Sequence, residues 1–597
     1  VTQYQPSSQA RRFSVLKFGS SVLRNADDYA RVAHEIYRHT RTGEKVVAVV
    51  SALDGETDAL FAMGDQVGQG SSDRVLARLV RCGELKSAAL MGLALERSGV
   101  PVAVLDPHEM DLVASGDPLD ANLSGLNREK VLARFDQADV IVAPGFFGED
   151  ENGPITLGRG GTDLTAVMFA HWLGADRARL IKDVDGVYSD DPAKNPDAHR
   201  FDALDYEAAR KVSHGLVQDK AISRAKALDV VVEVASLGKA YATRIAAQVE
   251  KPAAARVERP LRVAVLGHGA VGAGLCQHLL AHPNRFQLSP ILVRNPAKHS
   301  PDADPRLHFT QDPAEALRDD TDIVVEALGG TGFARSLSQS ALRDGRHLVT
   351  ANKAVIALDL ALLSGLAREN GLDLRYSAAV GGGTPILEHL DELAPKNDVL
   401  AVEGVMNGTC NFILDALDRG ELFADAVAEA QRLGFAEADP STDLDGDDAA
   451  DKLAIICHHA FGIMPDVRDI SRESLSDLSP ERIAAAREAG LVFKQVGRCV
   501  ADNTGGVDAR VELRALPQSH PFAALRNEAN GFLIHRPQGL TYIKGKGAGR
   551  WPTAEAMFAD LMDVQRRHAR SASPGKTTTT RQKTASQDHR MPRESAL

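Results

Sequence analysis

Residues 261–282 read LRVAVLGHGAVGAGLCQHLLAH, an apolar strand that runs through a glycine-rich turn straight into an apolar-striped helix. No other stretch of the chain restricts the fold as much. GHGAVG at 267–272 fits G-x-G-x-x-G, and after a strand each glycine has a separate task. Gly267 permits the tight turn, Gly269 lets the backbone approach a pyrophosphate, and Gly272 lets the helix pack closely on the strand. Ala270 and Val271 open the helix, where unpaired N–H groups face phosphates. Apolar strands recur at SPILVRN, DIVVEAL, HLVTAN and LRYSAAV, so the segment predicts a parallel α/β sheet that binds a dinucleotide.

The strand SPILVRNPAK carries Arg294 and Lys298 where an NAD site usually has an acid for the ribose hydroxyl. A guanidinium beside an ammonium suits a 2′-phosphate, so NADP(H) is expected in preference to NAD(H). A solvated basic loop is the plainer alternative. From about 386 to 530 the chain turns to helices and acidic loops. Within GFAEADPSTDLDGDDAADKLAIICHHA, Asp448 and Lys452 stand four residues apart and share one helix face, with Glu437 upstream in the loop. Spacing alone describes a surface ion pair equally well.

The first 250 residues form another block. FSVLKFG, KVVAVVSA, PVAVLD and DVIVAPGFFG read as strands separated by helical patterns such as DDYARVAHEIYRHT, again a parallel α/β arrangement. Lys17 ends the first strand ahead of Gly19, Ser20 and Ser21, small residues that let backbone amides face phosphates. ITLGRGGTDLTA (155–166) sets an arginine, two glycines and a Thr-Asp pair at a loop-to-helix junction, which could hold a carboxylate against nucleotide phosphates. DVDGVYSDDPAKNPDA (183–198) is turn-rich and acidic. Together these pieces suggest phosphoryl transfer without a Walker A motif, although turn chemistry explains each loop alone. KPAAARVERP (251–260) reads as the linker between the blocks.

The 597 residues are 44% hydrophobic and 25% charged, which excludes a wholly disordered chain. A formal charge of −12 weighs against a nucleic-acid-binding body. No apolar run nears the ~18 residues of a membrane helix, and VTQYQPSSQARRF lacks the apolar stretch of a secretory signal. Five scattered cysteines without C-x-x-C spacing fit a reducing compartment, so a cytoplasmic location is expected. Residues 566–597 are basic, poor in large apolar side chains and expected to be disordered. A nucleic-acid-binding tail is the rival reading of that segment.

TANKAVIA (350–357), AAVGGGTPIL (378–387), GVMNGTCNFIL (404–414) and GFAEADPSTDLDGDDAADK (434–452) together resemble homoserine dehydrogenase, over about 261–560. The resemblance implies that Lys452 donates a proton to the aldehyde oxygen and that Asp448 orients the reacting groups. By the same token Glu437 binds the substrate amino group, Lys353 contacts cofactor and substrate, and Gly434 lies against the nicotinamide. KGKGAGRWPTAEAMFADL (544–561), with Gly549, resembles the segment that returns to close the cofactor domain. A monovalent-cation site for Na+ maps onto carbonyls of Val380, Gly382 and Thr384, with Ser377 where the family has a glutamate. The chemistry agrees: an ammonium beside a carboxylate can donate a proton as hydride arrives.

LGRGGTDLTA with RCGELKSAAL (81–90) resembles aspartate kinase, and DGVYSDDPAKNPDA resembles the wider amino-acid kinase family, over about 13–248. Lys17 is then the phosphate-stabilising lysine, and Ser51, Thr57, Glu84 and Arg159 bind aspartate. Thr162 and Asp163 line the site, while Asp183 and Tyr188 contact the nucleotide, ATP with Mg2+. The chain departs from the family pattern at Ser20, at Lys182 (usually threonine) and at Ala193 (usually arginine). Gly215 and Gln218 stand where a lysine and a histidine are usual, so cations are missing near the ATP phosphates.

The expected fold is therefore α/β. An amino-acid-kinase-like parallel-sheet domain (13–250) precedes a Rossmann domain (261–385, completed by 531–565) and an α+β catalytic and dimerisation domain (386–530). The whole resembles bifunctional aspartate kinase–homoserine dehydrogenases that lack the paired regulatory domains between the two enzymes. The implied substrates are aspartate, ATP, aspartate semialdehyde and homoserine, in threonine, methionine and lysine biosynthesis. A homo-oligomer, dimer or tetramer, is implied, with no membrane and no nucleic acid as partner. The alternative is a monofunctional dehydrogenase with a degenerate kinase-like scaffold.

Overall fold

The computed structural model describes residues 13–571, apart from Gln69, Ser71, 192–193, 196–197, His214, Ala240, 248–258, 300–303, Asn397, Gly434, 503–504 and Glu528. Ala193, Gly434, most of the 251–260 linker and the tail beyond Ser571 thus lie outside the described residues.

Phe13–Phe18 is buried almost throughout, as are Lys45–Val50, Val140–Pro144 and Ala178–Lys182. Unbroken apolar runs of this kind suit parallel strands covered on both faces. They form the middle of an eight-stranded sheet. Its order is Ala203–Leu204, Thr243–Ile245, Val232–Ser236, Ala178–Lys182, Phe13–Phe18, Lys45–Val50, Val140–Pro144 and Val102–Val104. All neighbours are parallel except Thr243–Ile245 against Val232–Ser236. Lys17 and Lys182 end two adjacent central strands, so both reach the same edge of the sheet. A separate four-stranded sheet, Asp120–Gly125, Val113–Asp117, Phe147–Asp150 and Gly153–Thr156, was not legible in the sequence.

The second block opens on a parallel sheet ordered Phe309–Thr310, Ile291–Leu292, Leu261–Leu266, Ile323–Glu326, His347–Thr350 and Leu374–Arg375. In chain order this is the 3-2-1-4-5-6 pattern of dinucleotide-binding sheets, with Phe286–Leu288 also beside the first strand. Strand order reverses between Leu261–Leu266 and Ile323–Glu326, which opens a crevice at their carboxyl ends. The third sheet is mostly antiparallel, ordered Ser471–Arg472, Val507–Pro517, Leu491–Ala501, Ala401–Val405, Ala529–Arg536 and Gly539–Lys546. Helix Asp447–Phe461 packs on it, with Leu453, Ile456 and Cys457 buried alongside Cys499 and Val511.

Two expected boundaries are corrected. Residues 531–546 do not complete the Rossmann domain, because Ala529–Arg536 pairs with Ala401–Val405 and carries Gly539–Lys546 along its outer edge. Only helix Arg550–Ser571 returns, and Phe558, Leu561 and Met562 fill the core beneath Leu261–Leu266. That helix also runs six residues into the segment expected to be disordered. Its apolar face stays buried through Val564, and Arg567 Nη1 then meets Asp373 Oδ1 at 2.9 Å.

The same helix joins the two blocks. Ala559 belongs to the core of the N-terminal block, with Phe18, Ile36 and Leu95. Arg41, buried in the interface, donates to Asp560 Oδ1 at 2.8 Å and pairs with Glu388 at 2.5 Å.

Candidate active sites

In the second block, three elements converge on one carboxylate. Asp448 lies on the first turn of helix Asp447–Phe461, and Lys452 one turn further on donates from Nζ to Asp448 Oδ2 at 2.8 Å. Lys452 Nζ also donates to the Met406 carbonyl at 2.8 Å, just after strand Ala401–Val405. Lys353, first residue of helix Lys353–Asn370 on the Rossmann side, places Nζ 3.0 Å from Asp448 Oδ1. Burial opposes ionisation of Asp448, but the Lys452 and Lys353 ammonium groups outweigh it and hold the carboxyl well below the usual range. The Asp448 charge in turn raises the Lys353 pKa.

Asn407 was missed in the sequence. Its amide bridges Asp448 Oδ2 (2.8 Å) and Asp443 Oδ1 (2.7 Å), while its oxygen caps the helix that begins at Gly408. The N-x-T of VMNGTC signals a helix N-cap but not this second task. Glu326 was missed too. Fully buried at the end of strand Ile323–Glu326, it accepts from Thr350 Oγ1 (2.6 Å) and from the Leu328 N–H (2.8 Å). It thereby ties together the two loops that border the crevice. Glu437 stands apart from this network: its side chain is exposed and makes no ion pair among the described residues.

The glycine turn has the shape a pyrophosphate needs. Gly267 has φ 103°, and a Cβ there would meet the Ala327 carbonyl at 2.5 Å. A Cβ on Gly272 would meet the Gly267 carbonyl at 2.2 Å, so glycine is required for helix to approach strand. Gly269, the N-cap of helix Ala270–Leu280, faces open space instead. That openness beside free helix N–H groups is where a phosphate fits. Arg294 and Lys298 are exposed beyond the next strand and pair with no acid among the described residues. Gly549, with φ 110°, leads into the returning helix.

Val380, Gly382 and Thr384 lie on one tight loop, where Gly382 has φ 58° and Thr384 Oγ1 is buried without a hydrogen-bond partner among the described residues. The Thr384 carbonyl accepts from the Ile386 N–H at 2.8 Å. Ser377 donates to Asp560 Oδ1 at 2.8 Å and accepts from Arg41 Nη2 at 3.1 Å. The loop therefore offers neutral oxygens, with a fixed guanidinium standing near its start.

In the first block, Asp163 is buried between two ammonium groups. Lys17 Nζ lies 2.8 Å from Oδ1, and Lys182 Nζ lies 2.9 Å from Oδ2. Burial penalises the Asp163 carboxylate, yet the two lysine charges hold its pKa below the ordinary value. Lys182, the departure from the family pattern, thus joins the Lys17 cluster. Burial and the Lys17 charge push it down to about 8. Ser51 donates to Thr162 Oγ1 at 3.0 Å across the same edge. Burial pushes the Glu84 carboxyl up to about 8, although Ala52 and Gly145 N–H groups and Lys17 act against it.

The remaining residues are more dispersed. Thr57 is half-buried on the first turn of helix Glu56–Val67, and Arg159 is exposed between Gly158 and Gly160, whose φ values are 72° and 80°. Asp183 is exposed, while the Tyr188 hydroxyl donates to Asp185 at 2.7 Å. Lys194 pairs with Asp191 at 3.0 Å on the surface, its side chain 85% exposed. Gly215 has φ 82°, and its carbonyl accepts from Gln218 Nε2 at 3.2 Å.

Comparison with known proteins agrees with this division. The profile described as "Homoserine dehydrogenase" matches residues 385–562, and "Homoserine dehydrogenase, NAD binding domain" matches 267–377. The profile "Amino acid kinase family" matches 12–234. The homoserine dehydrogenase of Corynebacterium glutamicum is 36% identical over 332 residues, 53% of this chain and 74% of that one. That of Bacillus subtilis is 33% identical over 319 residues, 52% of this chain and 73% of the other. A crystal structure of a homoserine dehydrogenase from Thiobacillus denitrificans superimposes with a TM-score of 0.50 at 36% identity, covering 53% of this chain and 76% of that one. The chain belongs to the homoserine dehydrogenase family and carries ahead of that enzyme a domain of the amino acid kinase family.

Proposed function

We propose that the chain is a bifunctional enzyme that reduces L-aspartate 4-semialdehyde to L-homoserine and phosphorylates L-aspartate on its side-chain carboxylate with ATP. The observation that carries the first activity is the Lys452–Asp448–Lys353 network at the carboxyl edge of the Rossmann sheet. A reduced nicotinamide supplies hydride to the aldehyde carbon when bound. Lys452 Nζ, held by Asp448 and the Met406 carbonyl, donates a proton to the aldehyde oxygen, and the two ammonium charges stabilise the forming alkoxide. Asp448 keeps both lysines in place, and its charge raises the Lys353 pKa. Glu437, on its exposed loop, is assigned to the substrate amino group, and Gly434 and Gly549 to the cofactor.

NADP(H) is favoured because Arg294 and Lys298 are exposed and pair with no acid among the described residues, which leaves them accessible to a 2′-phosphate. No step is assigned to a monovalent cation at Val380, Gly382 and Thr384, since Ser377 brings no charge and Arg41 already stands beside it.

For the kinase, Lys17 neutralises charge on the transferring phosphoryl group and Lys182 adds a second cation. Ser51, Thr57, Glu84, Arg159 and Thr162 are assigned to aspartate, and Asp183 and Tyr188 to the nucleotide. Mg2+ would arrive chiefly on the phosphates, as it does where few protein carboxylates are offered. A cytoplasmic homo-oligomer completes the reading.

The test is ATP-dependent formation of aspartyl hydroxamate by the full chain, alongside NADP-dependent oxidation of homoserine. Hydroxamate lost in Lys17→Ala supports the bifunctional reading. Background hydroxamate with intact homoserine oxidation favours the monofunctional alternative.

A further inference from the structure

A cleft of about 360 Å³ lies between the two halves, and its lining is strongly one-sided in charge. Three consecutive strands of the kinase-like sheet end on it. Phe13–Phe18 leads to Arg24 and Arg31, Ala178–Lys182 ends in Lys182, and Val232–Ser236 leads to Lys239. The opposite wall comes from the dehydrogenase half, the turn Ala281–Arg285 after helix Ala270–Leu280. Five cationic side chains line the cleft (Arg24, Arg31, Lys182, Lys239 and Arg285), against a single carboxylate, Asp183.

The wall is fixed rather than incidental. Arg285 is buried and donates to the carbonyls of Leu237 (3.0 Å) and Gly238 (3.2 Å), locking the dehydrogenase turn onto the kinase loop. Arg24 and Arg31 share Asp28, which holds both guanidinium groups in place at 3.0 and 2.8 Å. The Arg31 Nε is buried without a hydrogen-bond partner among the described residues. Lys182, on the floor, is tied through Asp163 to Lys17, so the cleft opens within one side chain of the phosphate-stabilising lysine. Fixed cations around a cavity of this size select a compact polyanion.

We propose that this cleft binds the polyphosphate arm of the kinase's nucleotide, with the dehydrogenase turn 281–285 as one wall of the site. The cations missing at Ala193 and Gly215 are then supplied by Arg24, Arg31 and Lys239, and the kinase site is complete only when both halves are docked. The proposal rests on the kinase reading given above.

It is tested on the full chain by titrating MgATP, and separately inorganic tripolyphosphate, into the protein and into Asn284→Glu and Arg24→Glu. Asn284 is exposed on the dehydrogenase wall, so a carboxylate there adds charge without disturbing the core. Thermal melting checks that each variant folds. The expected result is a dissociation constant raised about tenfold or more for both ligands in both variants. Unchanged affinity in a folded Asn284→Glu, or no binding of either ligand by the wild-type chain at millimolar concentration, overturns the proposal. Hydroxamate formation run in parallel separates the two failures. Product formed with an unaltered KM for ATP in Asn284→Glu rejects the cleft and keeps the kinase. Tripolyphosphate binding weakened by Asn284→Glu in a chain that makes no hydroxamate keeps the anion cleft and rejects the kinase.

Discussion

His34 Nδ1 lies 2.6 Å from Glu555 Oε2, although the two residues belong to different halves and are 521 positions apart. His278 Nε2, from the Rossmann domain, approaches the other carboxylate oxygen at 3.1 Å. All three side chains are almost fully buried, so one carboxylate joins an imidazole from each half away from water. His34→Ala would leave an ionised Glu555 buried with only His278 and the Ser98 hydroxyl, which donates to Oε1 at 3.4 Å. Losing one member of a buried pair is expected to destabilise the chain by about 3 kcal/mol. A lower urea midpoint for the full-length variant is the expected outcome, and an unchanged midpoint would show that the contact contributes nothing.

A neighbouring group makes the interface sensitive to acid. His282 is pushed down to about 3 by burial, and its Nδ1 lies 2.8 Å from the His278 carbonyl. An unfolded histidine titrates near 6.5, so between these values the unfolded chain binds the proton and the folded chain does not. Stability from this group is therefore complete above about pH 6.5 and falls as pH drops toward 3, by roughly 4 kcal/mol over the span. Glu555 adds to the loss at the acid end: burial raises its pKa, but the His278 and His34 rings outweigh that and hold it below the usual carboxylate range. Urea midpoints should hold between pH 7.5 and 6.5 and fall steadily from there to pH 4.5. His282→Gln should flatten the upper part of that slope, and an unaltered slope would assign it to other groups.

The dinucleotide sheet was legible because its signals are local. The GHGAVG turn, the strand before it and the helix after it occupy 22 consecutive residues, and the Asp448–Lys452 pairing follows from helical spacing alone. Lys353 meets Asp448 across 95 positions, and only the motif resemblance brought the two together. The antiparallel sheet was obscured for another reason. Leu491–Ala501 and Val507–Pro517 carry arginine, aspartate and glutamate on their more exposed face, and Lys494 lies fully buried against Asp415 and Asn411. A buried lysine breaks the alternation that would mark a strand. The interface could not be read at all, since His34 and Glu555 sit in helices, and Arg41 at the end of one, whose charged residues look solvated until both halves are present.

Lys182 predicts the alkaline behaviour of the kinase. Burial and the nearby Lys17 charge push it down to about 8, so it is cationic below that pH and neutral above it. Above pH 8, Asp163 keeps only the Lys17 partner and the nucleotide edge of the sheet loses one positive charge. The KM for ATP in the hydroxamate assay should rise between pH 7.5 and 9. Lys182→Arg, which stays charged throughout, should hold it level. A KM that rises equally in both proteins would place the titration elsewhere.

The dehydrogenase network separates proton donation from positioning. Lys452→Ala removes the proposed donor to the aldehyde oxygen and should lower kcat for semialdehyde reduction by about 10²–10⁴-fold, with a smaller effect on KM. Asp448→Asn removes no proton donor, but it takes away the charge that raises Lys353 and that both ammonium groups share. Two facing lysines without a counter-ion repel, so the alkaline limb of the kcat profile for homoserine oxidation should move to lower pH. A purely structural role for Asp448 would lower activity at every pH without moving that limb. Lys452→Ala retaining more than a tenth of wild-type kcat would transfer the donor role to another group, with Lys353 the nearest ammonium to the same carboxylate.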